Sequence, residues 1–351
     1  PPPPPPPPPI THPAPPDTNT RQSSSAASDV YKRQALTMGT IPSPERGLRR
    51  LLDVILHVGA HRTGTTSLQA FLERNRQLLS DNGVAIWTPK RTRSALFSGL
   101  YRAPHRIDDN VEEAAMRACG RIRRTCDELE EKGARSLIVS EENMLGSMGA
   151  NVAGGVLYPH VSFRLGRLAP AFRARCRRVV LGIRSYDWHW TSMIAFGTGK
   201  GRAVPSSQKL TDIATQPFRW RHVIQDLAAA FPRADVVVFP FETMVRLPEA
   251  QVSAMVGASL TGRTEGGNEW LNPTQIGADR QENADEWRWS PFTDDQRAMM
   301  RRDYADDISW LKGGADGLAS LIDSPAFVPG TTGSGRGLHH DEGQRRLGGT
   351  G

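Results

Sequence analysis

The chain is short of cysteine and of long apolar runs, and each shortage closes off a class of protein. Only three cysteines, Cys119, Cys126 and Cys176, occur in 351 residues. They form no CxxC pair and no Cys/His ligand set, so neither a disulfide framework nor a metal site is expected. So sparse and odd a count fits a reducing compartment. No apolar stretch approaches the ~20 residues needed to cross a bilayer. Nine prolines open the chain with no apolar h-region behind them, so no secretory signal is read and a cytoplasmic location is expected. Internal repeats are lacking too.

The apolar fraction, 38%, is low for a globular chain, but the deficit is concentrated at the ends. Pro1–Pro9 and the Ser/Ala/Thr-rich stretch to Ser28 offer nothing to bury. Asp29-Val30-Tyr31-Lys32-Arg33-Gln34 matches what the end of a common library-preparation transposon encodes. Residues 1–37 are therefore read as a sequencing chimaera, with the natural start at Met38; the alternative is a Pro-rich tail that binds partners. The Gly-rich stretch 324–351 reads as a disordered tail. Residues 50–323 remain, long enough for one α/β domain of about 270 residues.

Forty-four Lys and Arg against thirty-seven Asp and Glu give a formal charge of +7. Arginine dominates, which suits an anionic ligand such as a phosphate or sulfate ester, although a solvated basic surface has the same composition. The densest cluster, Arg173, Arg175, Arg177 and Arg178, leads into an apolar strand without interleaved aromatics, so nucleic acid is not the expected partner.

Leu51 to Val58 reads as a strand buried on both faces. It runs into Gly59-Ala60-His61-Arg62-Thr63-Gly64-Thr65-Thr66-Ser67, and a helix follows with Leu68, Phe71, Leu72 and Leu79 on one face. Strand, Gly/Thr-rich turn and helix in this order aim backbone N–H groups and the positive helix end at an anion. Gly59 and Gly64 permit close approach, and Thr65, Thr66 and Ser67 add hydroxyls. The Gly59-to-Gly64 spacing matches the start of a Walker A loop, but Thr65 stands where the Walker lysine belongs. The cation sits inside the loop instead, at Arg62. The segment His57–Gln69 resembles the 5′-phosphosulfate loop of sulfotransferases that use the nucleotide donor PAPS, in the bacterial and carbohydrate-type branches. It departs from them in carrying Arg62 where that family usually has lysine.

The resemblance continues at a second strand, Arg177 to Ile183, which ends at Arg184 and enters a helix containing Ser192. Sulfotransferases bind the donor's 3′-phosphate with a strand-end Arg and a Ser eight residues later, so the resemblance implies that role for Arg184 and Ser192. The planar guanidinium fork suits a phosphate. For the donor it implies PAPS, with PAP as product, held by Gly59, His61, Arg62, Thr63, Gly64, Thr65, Thr66, Ser67, Arg184 and Ser192. No metal is required.

A third strand, Ser136 to Val139, ends at Ser140-Glu141-Glu142-Asn143. Ligands of such sheets gather at the carboxyl ends of strands, and the family uses a His or Glu there to take the acceptor's proton. Glu142 is the first candidate base and Glu141 the second. Adjacent carboxylates are expected to raise one pKa, while the same pair also reads as a helix cap. His57, His61 and His105 are weaker candidates, His57 being a core residue. Arg62 is expected to stabilise charge on the leaving side.

A further strand at Asp235–Glu242 follows a helix from Trp220 to Phe231, and Phe292–Leu311 reads as an amphipathic helix packed by Met299, Met300, Tyr304, Ile308 and Leu311. Gly197–Arg202 is a lid or an exposed loop, with the loop favoured. Trp188, Trp190, Trp270, Trp287 and Trp289 divide between core and acceptor cleft. Strands alternating with helices predict α/β architecture: a three-layer P-loop fold with a mostly parallel central sheet flanked by helices. The expected activity is sulfuryl transfer from PAPS to a hydroxyl, on a small molecule or glycan. The alternatives are a P-loop kinase or NTPase, since a strand ending in acids also resembles Walker B, or a non-catalytic nucleotide-binding relative.

Overall fold

Six apolar runs pair into one sheet in the computed structural model, which describes residues 51–266 and 289–325. The readings of residues 1–37 and Met38, of the tail from 326 onward, and of Trp270 and Trp287 fall outside them. The strands are β1 (Asp53–Gly59), β2 (Val84–Trp87), β3 (Ser136–Ser140), β4 (Cys176–Ile183), β5 (Asp235–Pro240) and β6 (Ser320–Leu321). Their order is β2-β3-β1-β4-β5-β6, and every pair is parallel rather than most of them. Leu56 of β1 lies opposite Val139 on one side and Val179 on the other.

Helices fill the connections. Between β1 and β2 lie α1 (Thr65–Arg74) and α2 (Arg76–Asp81). Before β3 come α3 (Pro89–Thr92) and α4 (Asp109–Glu131), and before β4 come α5 (Met148–Gly154) and α6 (Val161–Phe172). Next are α7 (Tyr186–Thr198), α8 (Ser207–Thr215) and α9 (Trp220–Ala230), which lead to β5. Finally α10 (Phe241–Met244), α11 (Pro248–Val256) and α12 (Asp294–Lys312) precede β6. All described residues fall in one compact unit.

Because side chains alternate along a strand, the sheet feeds two cores. Val54, Leu56 and Val58 join Val139, Leu181 and residues of α4, α6, α7, α9 and α12, including Ile122, Leu165, Trp190, Leu227 and Met300. Ile55, Ile138 and Val180 face the other way, onto Leu68, Phe71 and Leu72 of α1, Leu79 of α2 and Val252 of α11. The α/β three-layer arrangement follows. Leu56 is wholly buried, and truncating such a side chain costs about 2–5 kcal/mol. Among the described residues, no helix is long and apolar enough to cross a membrane.

The crossover leaving β1 passes over the α1 face, whereas those leaving β3 and β4 pass over the opposite face. β1 sits between β3 and β4, so the crevice of the sheet opens at its carboxyl end, where parallel α/β folds hold ligands.

Three details differ from expectation. The helix after the loop breaks at Asn75, whose side-chain amide donates to Phe71 O and to Glu265 O, both at 2.9 Å, so Leu79 belongs to a second helix. The strand expected to reach Glu242 stops at Pro240, because α10 starts there. And the basic cluster leading into β4 and its first residues is largely consumed within the fold. Arg175 pairs with Asp127 and Glu130, Arg177 with Asp53, and Arg178 donates to Ala254 O and Met255 O at the end of α11.

Candidate functional site

The turn after β1 is shaped by what presses on it. Gly64, with φ 83°, precedes α1, and a Cβ there would stand 2.6 Å from Val245 Cγ2. A Cβ on Gly182 of β4 would stand 2.7 Å from Thr63 Oγ1. Only glycine lets these neighbours close on the loop. Part of the loop's hydrogen-bonding capacity is spent internally. Ala60 N–H donates to Gly182 O at 2.9 Å, His61 N–H to Tyr158 Oη at 2.9 Å, and Thr63 Oγ1 to Ala60 O at 2.7 Å. The expectation that the whole loop faces an anion therefore narrows to its later part. There Gly64, buried Thr65, exposed Thr66 and half-buried Ser67 open the ten-residue α1.

Arg62 leaves the loop with φ 62° and reaches across the crevice. Its Nε donates to Ser192 Oγ at 2.8 Å, although the two residues are 130 positions apart. Arg184, at the end of β4, donates from Nη1 to Arg62 O at 3.2 Å and lays its guanidinium over the Phe241 ring at 4.1 Å. Its own carbonyl accepts from Trp220 Nε1 at 2.9 Å. The loop after β1 and the strand-to-helix turn after β4 thus meet through Arg62, Arg184 and Ser192. Burial holds the Arg62 guanidinium below its usual pKa. The exposed Phe196 ring, one turn beyond Ser192, lies beneath Arg62 at 5.5 Å and Lys200 at 5.8 Å. Of Gly197–Arg202, Gly197 and Thr198 end α7, and residues 199–202 beyond it are exposed.

Packing against α12 fixes the start of α7. Asp187 accepts from Arg301 Nε at 2.6 Å, and wholly buried Asp307 accepts from Arg221 Nε at 2.6 Å and from the Tyr186 hydroxyl. Ser185 N–H donates to Glu242 Oε1 at 2.9 Å.

At the end of β3 the two carboxylates have separate fates. Glu141 is wholly buried. It accepts from Arg93 Nη2 at 2.9 Å and Nε at 3.0 Å, from Thr92 Oγ1 at 2.6 Å and from Asn143 N–H at 3.1 Å. Such a group has no room for a substrate proton; it anchors the segment around α3 to the sheet and caps the turn that follows it, so the second candidate base is a structural residue. Glu142 keeps part of its side chain at the surface and accepts from Gln69 Nε2 at 2.9 Å and Arg93 Nη2 at 2.8 Å. Burial pushes its pKa up, but the hydrogen bond from Gln69, a backbone hydrogen bond and the charges of Arg93 and His61 outweigh it, and the net shift is downward. Glu142 is therefore not the carboxylate raised by its neighbour, because Arg93 lies between the two.

The histidines separate as well. His57 is buried, bonded to Ser140 Oγ at 2.8 Å, and burial lowers it to about 4, as befits a core residue. His61 lies beside Glu142, buried and with its pKa lowered by burial. His105 is exposed in a short turn, Pro104–Arg106. Trp190 belongs to the core, half-buried Trp188 lies on α7, and Trp289 is exposed.

Arg93, Gln69 and Tyr158 were not singled out as site residues in the sequence. Arg93 stands in a polar stretch that resembles ordinary surface, and Tyr158 lies 97 positions from its partner. Gln69 carried one usable signal: on a helix, four residues past Thr65, it lies on the loop's own side.

A parallel α/β protein whose sheet crevice gathers two arginines, a serine and the start of a helix has the features of an anion-binding site, with a carboxylate at the neighbouring strand end. No family model, curated protein or solved structure matches the chain.

Proposed function

We propose that this protein is a sulfotransferase that moves the sulfuryl group of PAPS to a hydroxyl acceptor. The observation that carries the reading is the 2.8 Å contact between Arg62 and Ser192, with Arg184 beside it. These residues were picked from two separate motifs of one resemblance, and they converge at a single crevice. The residues present suit the donor: two guanidiniums, a hydroxyl and a helix start match the phosphates at its two ends.

PAPS would supply a sulfur whose bond to the phosphate oxygen breaks as the bond to the acceptor oxygen forms. Arg62 and the N–H groups at the start of α1 stabilise charge gathering on the departing phosphate. Arg184 and Ser192 hold the 3′-phosphate and so fix the donor's direction. Glu142, ionised at neutral pH because its pKa is lowered, accepts the acceptor's hydroxyl proton. Arg93 and Gln69 each occupy one of its oxygens, and each oxygen keeps a second lone pair. The acceptor class is a hydroxyl-bearing small molecule or glycan. A cytoplasmic location suits the three buried free thiols.

Calorimetric titration with PAP in EDTA tests the reading. Micromolar binding without metal is expected; no binding of PAP, together with Mg²⁺-dependent binding of ATP, would move the chain to the kinase-like P-loop proteins.

A further inference from the structure

Tyr158 touches the loop twice and has no part in the reading above. Its Oη lies 2.9 Å from His61 N and 3.0 Å from His61 Nδ1, and the two rings stack with centroids 5.9 Å apart. The residue is held from every side. Its backbone has φ 51°, uncommon for a non-glycine residue. Its N–H donates to Oδ1 of buried Asn151 at 3.1 Å. A Cβ on Gly146 would stand 3.1 Å from its ring, and Trp220 lies 6.4 Å away across the other side.

The hydrogen bonds fix the proton positions. Main-chain N–H can only donate, so the Tyr158 hydroxyl oxygen accepts from His61 N–H. The hydroxyl proton then needs an acceptor in a wholly buried setting, and among the described residues the one within reach is Nδ1 of His61. A proton on Nδ1 instead would leave the buried tyrosine O–H with no acceptor among the described residues. The imidazole proton must therefore be on Nε2.

We propose that Tyr158 is a positioning residue that holds His61 as the neutral Nε2–H tautomer, making the loop imidazole a hydrogen-bond donor and removing it as a base. The neighbouring groups agree. Burial lowers the His61 pKa and keeps the ring uncharged at neutral pH. It does so against the negative charges of Glu142 and Glu141 and a hydrogen bond with the Asn143 side chain, with the Arg93 charge acting in the same direction as burial. A neutral donor in an anion-binding loop contributes a hydrogen bond without adding a charge, and it leaves Glu142 as the base. The role of His61 toward the donor rests on the sulfotransferase reading; its tautomer does not.

The test is imidazole ¹⁵N NMR on the full chain labelled at histidine, with His61 assigned by its loss in His61→Asn. At pH 7 the account requires a protonated Nε2 and an unprotonated Nδ1. Tyr158→Phe keeps the ring and removes both hydrogen bonds, so the His61 nitrogen shifts should move to tautomer-averaged values, and PAP affinity should fall several-fold. An Nδ1–H tautomer or an imidazolium in the unmodified protein overturns the proposal, and that spectrum decides even where Tyr158→Phe does not fold. Unchanged ¹⁵N shifts in a folded Tyr158→Phe overturn it as well. A failure to bind PAP alongside the required tautomer counts against the donor reading alone.

Discussion

The ends of β1 and β4 differ from the end of β3 in what their charges touch. At β1 and β4, Arg62 and Arg184 contact a serine hydroxyl, a main-chain carbonyl and a phenyl ring. At β3 the two carboxylates are met by Arg93, Thr92 and Gln69 at 2.6–3.0 Å. A carboxylate bonded by a guanidinium, as at β3, has spent much of its own field. On the proposed reading, the first region receives an anion. The second is built mainly to hold itself together, and only Glu142 retains an accessible face.

The division predicts that neighbouring substitutions fail differently. Glu142→Gln should lower kcat by roughly two to four orders of magnitude and leave PAP affinity unchanged, because it removes a proton acceptor and not a donor contact. Glu141→Gln should act on the fold instead: it strips a wholly buried charge from its guanidinium and should cost about 3 kcal/mol in urea unfolding. Were Glu141→Gln stable and inactive, and Glu142→Gln active, the assignment of the two would be inverted.

Acid should weaken the fold through its buried histidines. The pKa of folded His57, about 4, lies below the unfolded value near 6.5, so the unfolded chain binds more protons between these limits. Stability is therefore full above about pH 6.5 and falls as pH drops towards 4, by roughly 3 kcal/mol for this group at the lower limit. His61 and His189 are depressed in the same direction. Urea midpoints measured across this range should decline, and His57→Gln should flatten the slope; a slope unaltered by that substitution would exclude His57 as a source. Of the smaller effects, Ser192→Ala removes one hydrogen bond from Arg62 and should weaken PAP binding about fivefold, or ~1 kcal/mol.

Much of the fold was legible because the central strands are buried on both faces, and continuous runs such as Val179–Val180–Leu181 announce that directly. The four-residue β2 and two-residue β6 were missed, being too short to leave a pattern. Arg62, Arg184 and Ser192 were singled out through the resemblance of two motifs, and the structure brings the three together. The roles of Arg93 and Tyr158 were not, since both depend on contacts between segments 48 or more positions apart. The Asn75 break was also hidden, because its cause is a hydrogen bond to Glu265, 190 positions along. For the same reason Glu141 and Glu142, indistinguishable as a dipeptide, separate only once Arg93 is placed.

The most direct test of the central claim, that the ends of β1 and β4 form one site with two anion-binding halves, compares PAP with AMP, which lacks the 3′-phosphate. Calorimetry in EDTA on the unmodified chain, Arg62→Ala and Arg184→Ala supplies the numbers. Arg184→Ala should weaken PAP at least tenfold, about 1.4 kcal/mol, and leave AMP almost unchanged, while Arg62→Ala weakens both. Equal losses for PAP and AMP on Arg184→Ala, or no loss for either, would contradict the account.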